Sequence, residues 1–448
     1  MEAVASDQQE QQPPNIFFEY ARHESWTRQQ LMDYQEQALR ACRDYAYAHS
    51  PFYQRFHKGL MDRPLQELPV LTKAMVLEHF DDVVTDRAIR LRDVRQHLAE
   101  AEAPKLYLDR YTATATSGST GQPGIFLSDR TEAALEGSTF MRALMWGGVT
   151  LQNKSAVVSS LRMVQPTVLR EGQQVPLVLP ATLPLETLVQ RLNAWQPEVL
   201  VGHSSINAAL ANEQYQGRLH ISPRVVFCGS DTLTGSMRQR IEEVWQTKIF
   251  NSYGTTEGNA LAAECASHQG LHLFEDYSLV EVVDENNQPL PPGTAGGRVL
   301  LTVLFRRTQP LIRYELSDLV TTSASEICSC GRPFALIEAI EGRMIEVLYL
   351  PSSAGKSQRI SPYLFTRVFN KLPIGAWQVV YEQDGLHIFL TGAAEELRDE
   401  AVREALQQAL AEQGVLVPAI DIHRVTVLSQ TANGKSPIVI SRVPAPVL

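Results

Sequence analysis

The sequence predicts a large layered α/β body followed by a small α+β module, and three observations carry that reading. From 156 to 252, short β-rich runs alternate with amphipathic helical stretches, the texture of a sheet covered by helices. An apolar run over 299–305 sits between Arg298 and Arg306. It falls well short of the roughly 20 apolar residues of a membrane span and reads as a buried strand. Beyond Gly342 and Arg343 the pattern becomes a compact mixture of helices and strands, which places a domain boundary there, between 16–342 and 343–448.

At 448 residues the chain can hold two or three domains with large cores, and 44% hydrophobic with 20% charged residues is ordinary for a globular protein. The formal net charge of -10 is dispersed and speaks against a nucleic-acid surface, and no membrane partner is indicated. Residues 1–15 are polar and Gln-rich, without the cationic start and apolar core of a signal peptide, and are expected to form a flexible tail. Five cysteines in so long a chain without an export signal point to a reducing cytoplasm.

In chain order, 16–80 is mostly helical, with apolar and aromatic residues at near-3.6 spacing over 26–47. Leu68-Pro69-Val70-Leu71-Thr72-Lys73 marks a turn into another helix, with Thr72 as its N-cap. Strands are then expected at 156–160, 199–202, 225–228 and 248–252, and helices at 185–194, 205–213 and 236–247. A β-rich subdomain follows, with turn formers over 284–297. The C-terminal module should contain helices at 361–370 and 394–412 and strands at 377–382, 386–390 and 420–428.

Chemistry is concentrated in a few motifs. Thr116, Ser117, Gly118, Ser119, Thr120 and Gly121 pack four hydroxyls and two glycines into six residues, so that NH groups and hydroxyls can converge on phosphate oxygens. No Lys-Ser/Thr pair follows, so this is not a Walker A loop, and a polar surface loop fits the composition equally well. The stretch Asn251-Ser252-Tyr253-Gly254-Thr255-Thr256-Glu257-Gly258 ends an apolar strand, the place where open α/β sheets bind ligands. Its ring, hydroxyls and carboxylate could stack a base, touch a phosphate and hold Mg²⁺, or form a plain glycine turn. Asp318 could accept from ribose hydroxyls and Arg343 could donate to phosphate, each with a surface charge as the alternative. Lys435 stands on a Gly-containing turn, where a solvated lysine is the default.

Taken in order, these pieces resemble the adenylate-forming superfamily of acyl- and aryl-CoA synthetases, and most the phenylacetate-CoA ligase-like branch that also holds CapK-type proteins. The 68–73 stretch resembles that branch's upstream motif, and the likeness runs from about Tyr45 to Arg442. The resemblance implies an adenylate-forming α/β N-terminal domain and a mobile C-terminal domain. It implies that residues 116–121 wrap the ATP phosphates, Tyr253 stacks on adenine within the Gly254 turn, Thr255 or Thr256 touches the α-phosphate, and Glu257 holds Mg²⁺. Asp318 would take the ribose, Arg343 would lie on the hinge side of the nucleotide, and Lys435 would reach in from the small domain. Gly229-Ser230-Asp231 resembles the Gly-x-Glu turn beside the acyl pocket, with Asp in place of Glu. The pocket itself is expected along 140–148, with His203, Ser204 and Gly229. Three positions depart from the pattern: Ser317 replaces a glycine, Ile345 the acidic hinge residue with Glu346 next, and Gln122 a lysine.

A second site is suggested by Cys265, His268 and His272, which precede Cys328 and Cys330 by about 60 residues, a set able to hold tetrahedral Zn²⁺ or to be buried thiols. The likeness favours Cys265, His272, Cys328 and Cys330, since some members of the branch carry such a site. The expected function is ATP-dependent ligation of a carboxylic acid, preferably aromatic, through an acyl-adenylate to CoA. The alternatives are an amine acceptor and a nucleotide-binding regulator without turnover. A homodimer is left open.

Overall fold

The computed structural model describes residues 16–100, 105–116, 122–159, 174–325, 327–352, 355, 357–431 and 433–444. Its centre is a mixed sheet that changes character at one strand. On one side of Ile249–Thr255 lie Val225–Gly229, Val199–His203, Ser155–Ser159 and Leu177–Pro180, all paired in parallel. On the other side Asn259–Glu264, Leu271–Leu273, Leu336–Arg343, Tyr314–Thr322, Gly297–Val303 and Ser278–Val283 continue antiparallel. The expected β-rich subdomain is therefore the antiparallel half of the same sheet, and the run between the two arginines is its strand Gly297–Val303.

Helices Leu185–Trp195, Ser204–Tyr215 and Gly235–Trp245 connect the parallel strands and bury Leu188, Leu192, Leu210 and Ile241 against them. The covered parallel half needs apolar residues on both faces, which explains the uninterrupted apolar runs there. Helix Arg28–His49 is started by a Thr27 capping box and packs Leu31, Cys42 and Ala46 onto the antiparallel half. Thr72 caps Lys73–Glu78 by accepting from the Met75 NH, as expected.

The C-terminal residues form their own sheet, ordered Ile420–Arg424, Gly385–Thr391, Ala376–Glu382 and Val439–Ser441, with helices Pro362–Phe369 and Asp399–Ala411. Phe365, Phe369, Trp377, Val402 and Leu406 fill the core between them. The second helix begins five residues later than the sequence suggests, and the hairpin Leu348–Pro351 with Ser357–Ile360 is an addition. Among the described residues no helix is long and apolar enough to cross a membrane.

Candidate functional site

Three strands converge on one carboxylate. Tyr253 lies on the strand where the sheet changes from parallel to antiparallel, and its buried hydroxyl donates to Asp318 Oδ2 at 2.9 Å. Asp318 is registered opposite Arg343 on the neighbouring strand, and the Arg343 Nε is 3.4 Å from Asp318 Oδ1. Burial and the Asp318 charge push the Tyr253 phenol well above its ordinary value, so it remains a donor.

The turn after Tyr253 is tightly constrained. A β-bulge falls between Tyr253 and Gly254, and a Cβ at Gly254 would sit 2.8 Å from the Asn259 carbonyl. Thr255 Oγ1 accepts from the Gly258 NH at 3.1 Å. Glu257 is half-buried, and desolvation raises its carboxyl, opposed by Arg343 and Arg306. Arg306 fixes its main chain: Nη1 donates to the Glu257 carbonyl at 2.6 Å while Nη2 holds Glu136 at 2.9 Å. Sequence reading treated Arg306 only as the end of an apolar run, and nothing local revealed its link to Glu257.

Arg343 opens the connection to the small sheet. Its NH donates to Glu346 Oε2 at 3.1 Å, and the buried Glu346 carboxyl is pushed up to about 7 by desolvation. Gly342 has φ +129, a backbone conformation that favours glycine, and a Cβ there would run into Glu346 Oε2. Ile345, which stands where an acidic residue was expected, is exposed, and the carboxylate comes from the next residue.

Lys435 comes from the C-terminal segment, on the turn closed by the Thr431 NH donating to Lys435 O at 2.8 Å. Burial, then Arg343, lower its ammonium below the ordinary value, while Asp231, Asp318 and Glu257 raise it. The sequence-predicted Asp231, Glu257, Asp318, Arg343 and Lys435 thus share one electrostatic site, with Tyr253 bonded to it. Asp231 is turned to a structural task as well: Oδ1 accepts from the Ser204 NH at 2.6 Å and Oδ2 from Ser205 Oγ at 2.5 Å, at the start of helix Ser204–Tyr215. Ser230 adopts φ +66 to make that turn. Thr116 extends the hairpin of Thr112–Ala115 and Ile125–Ser128, its NH on Gly124 O and its Oγ1 accepting from the Gly124 NH. Ser117, Gly118, Ser119, Thr120 and Gly121 lie outside the described residues, and Thr256 is half-buried with no bond to the cluster among those described. Within 140–148, Arg142 points away from this site into a buried pair with Asp276.

The second cluster also assembles. Ligand atoms of Cys265, His272, Cys328 and Cys330 all lie within 4.8 Å of one another. The Cys265 and Cys328 sulfurs are 3.6 Å apart, and Cys330 Sγ is 3.3 Å from His272 Nε2. That sulfur separation is close to the ~3.8 Å expected across a tetrahedral ion with ~2.3 Å bonds to sulfur. His272 Nδ1 lies 3.3 Å from the Phe334 carbonyl, a bond that leaves Nε2 free as a ligand atom. His268 instead turns Nδ1 to Glu264 at 3.2 Å. The donor set fits Zn²⁺.

Residues 56–302, more than half of the chain, match the model of a family described as AMP-binding enzyme. A phenylacetate-coenzyme A ligase of Thermus thermophilus is 25% identical over 393 residues, covering 81% of this chain and 80% of that protein. Among solved structures, a 2-hydroxyisobutyryl-CoA ligase in its postadenylation state superposes with a TM-score of 0.70 at 19% identity, covering 94% of this chain and 91% of that one. The same ligase in its thioesterification state gives 0.56 at 20% identity and the same coverages. The likeness to these structures is one of fold.

Proposed function

The chain belongs to the AMP-binding enzyme family, and from that premise we propose that it joins a carboxylic acid to CoA through an acyl-adenylate, with an aromatic acid as substrate. The observation that carries this reading is the convergence of Lys435 with Asp318, Glu257, Arg343 and Asp231, contributed by separate segments of the chain.

In the first step a carboxylate oxygen attacks the α-phosphorus of ATP, the new O–P bond forms, the bridge to the β-phosphorus breaks, and pyrophosphate leaves. Two anions meet there, so the rate depends on positive groups aimed at the crowded oxygens. Lys435 supplies a movable charge, and Arg343 a fixed one. Tyr253 offers its ring to the adenine, and Asp318 accepts from the ribose. Residues 116–121 and Thr255 or Thr256 donate to phosphate. Glu257 would hold Mg²⁺, which supplies charge neutralisation on the phosphates. In the second step the CoA sulfur attacks the acyl carbon and AMP leaves.

The division at Gly342 and Arg343 is the proposed pivot between a large domain, 16–342, and a small one, 343–448. Burial of Glu346 against Arg343 returns an acidic group to the hinge and favours CoA over an amine. The aromatic preference draws on the similarity to the Thermus ligase. Cys265, His272, Cys328 and Cys330 are proposed to hold structural Zn²⁺, and the unpaired cysteines suit a reducing compartment.

The test is acid-dependent pyrophosphate release over aryl, arylacetic and fatty acids, with and without CoA. Acyl-CoA from an aryl or arylacetic acid is expected. Products formed only with amines would move the acceptor, and silence over the whole panel would overturn ligation.

A further inference from the structure

We propose that His203 is a positioning residue that docks the Lys435 turn, and so sets where the lysine ammonium stands during adenylation; this rests on the function proposed above. The turn is rigid within the small sheet. The Thr431 NH donates to Lys435 O at 2.8 Å, the Gly434 NH to Thr431 O at 2.9 Å, and the Lys435 NH to Thr431 Oγ1 at 3.3 Å. Gln378 ties both flanks down, donating from Nε2 to Ser429 O at 3.1 Å and Pro437 O at 2.7 Å. With the turn fixed in its own domain, the position of Lys435 over the nucleotide site follows how the small domain meets the large body, where Ala376 and Leu428 join the cluster of Leu188, Leu210 and Ile241 and the turn adds contacts of its own.

Two of the contacts among the described residues bring the turn itself to the large body. Gly434, at φ +72, presses so closely on Ala181 that a Cβ would stand 2.8 Å from the Ala181 carbonyl oxygen. His203 Nδ1 is 3.1 Å from the Gly434 carbonyl, 231 residues away in sequence. A carbonyl only accepts, so Nδ1 must carry the proton and donate. His203 itself is fully buried at the end of strand Val199–His203, registered against Gly229 and followed directly by Ser204, whose NH is held by Asp231. The bond therefore joins a rigid strand end of the large body to the residue immediately before the lysine.

The resulting geometry distinguishes side chains by which nitrogen they can present. The Asn amide nitrogen takes the place of imidazole Nδ1, whereas the Gln amide reaches the place of Nε2. Acid-dependent pyrophosphate release is measured for wild type, His203→Asn, His203→Gln, Lys435→Ala and the double variant His203→Gln with Lys435→Ala, alongside thermal unfolding of each. His203→Asn, which keeps the donor, is expected to turn over faster than His203→Gln, which loses the bond and lowers the rate by about 3- to 10-fold, the worth of one hydrogen bond. The loss is expected in the turnover rate with the KM for the acid unchanged. In the Lys435→Ala background the His203 change is expected to cost nothing further, because its effect runs through the lysine.

Equal rates for His203→Gln and wild type would overturn the inference, as would full additivity in the double variant or a loss confined to the KM for the acid. A His203→Asn enzyme that folds but is as slow as His203→Gln would do the same. A wild type that releases no pyrophosphate with any acid would overturn the ligase reading itself, and this inference with it.

Discussion

The hydroxyl of Tyr253 is bonded to Asp318 Oδ2 at 2.9 Å, which ties the residue proposed to stack on adenine to the one proposed to hold ribose. Replacing Tyr253 by Phe keeps a ring and removes this tie. The expected result is a rise of about 3- to 10-fold in the KM for ATP, the worth of one hydrogen bond, with little change in turnover rate. Steady-state kinetics against ATP check it, and an unchanged KM would show that the bond does not orient the ring.

Glu346 gives the fold a measurable dependence on pH. Its carboxyl is raised from 4.5 to about 7 in the folded chain, chiefly by desolvation, with Asp318 and Asp231 adding and Arg343 opposing. The folded state keeps a proton that the unfolded state has released. This contribution to stability is complete below about 4.5 and is lost as pH rises through about 7. Glu346→Gln, neutral throughout, is expected to unfold at a higher temperature than wild type at pH 8, with the gap closing at pH 5. Thermal unfolding at the two pH values decides it, and a gap that widens toward pH 5 would contradict the sign.

A buried ion pair anchors helix Ile16–His23 to the rest through His23. Arg142 and Asp276 are 2% and 0% exposed, bonded at 2.7 and 2.9 Å, and His23 Nδ1 joins the same carboxylate at 2.9 Å. Asp276→Asn leaves an uncompensated buried guanidinium and is expected to destabilise by about 3–5 kcal/mol in denaturant unfolding.

For the sulfur cluster, near-stoichiometric Zn²⁺ in purified protein is expected, with loss of metal and a lower unfolding temperature in Cys328→Ser. Elemental analysis showing no zinc, with all five thiols titratable, would reduce Cys265, Cys328 and Cys330 to buried thiols.

Much of this was legible in the sequence because the signals are local. The alternation of strands and helices over 156–252, the Thr72 cap and the strand leading to Tyr253 all depend on neighbours a few residues away. Helix Arg130–Trp146 was missed because it buries Glu132 and Arg142, whose partners Thr308 and Asp276 lie far off in sequence, and their polarity breaks the apolar period. Its capping box, Asp129 with Glu132, was the available signal. The antiparallel half looked like a separate subdomain because pairing such as Leu336 with His272 leaves no mark on either segment. At the site, the resemblance to the adenylate-forming synthetases pointed to Asp318, Arg343 and Lys435, whereas Arg306 and the His203 contact to Gly434 depend on the assembled fold.

The most direct test of the adenylation claim is acid-dependent exchange of labelled pyrophosphate into ATP without CoA, comparing wild type with Lys435→Ala. Exchange is expected with at least one aryl or arylacetic acid, and Lys435→Ala should lower it about 100-fold or more, the scale of losing one charge-stabilising group. Exchange that does not depend on the acid, or that survives unchanged in Lys435→Ala, would contradict it.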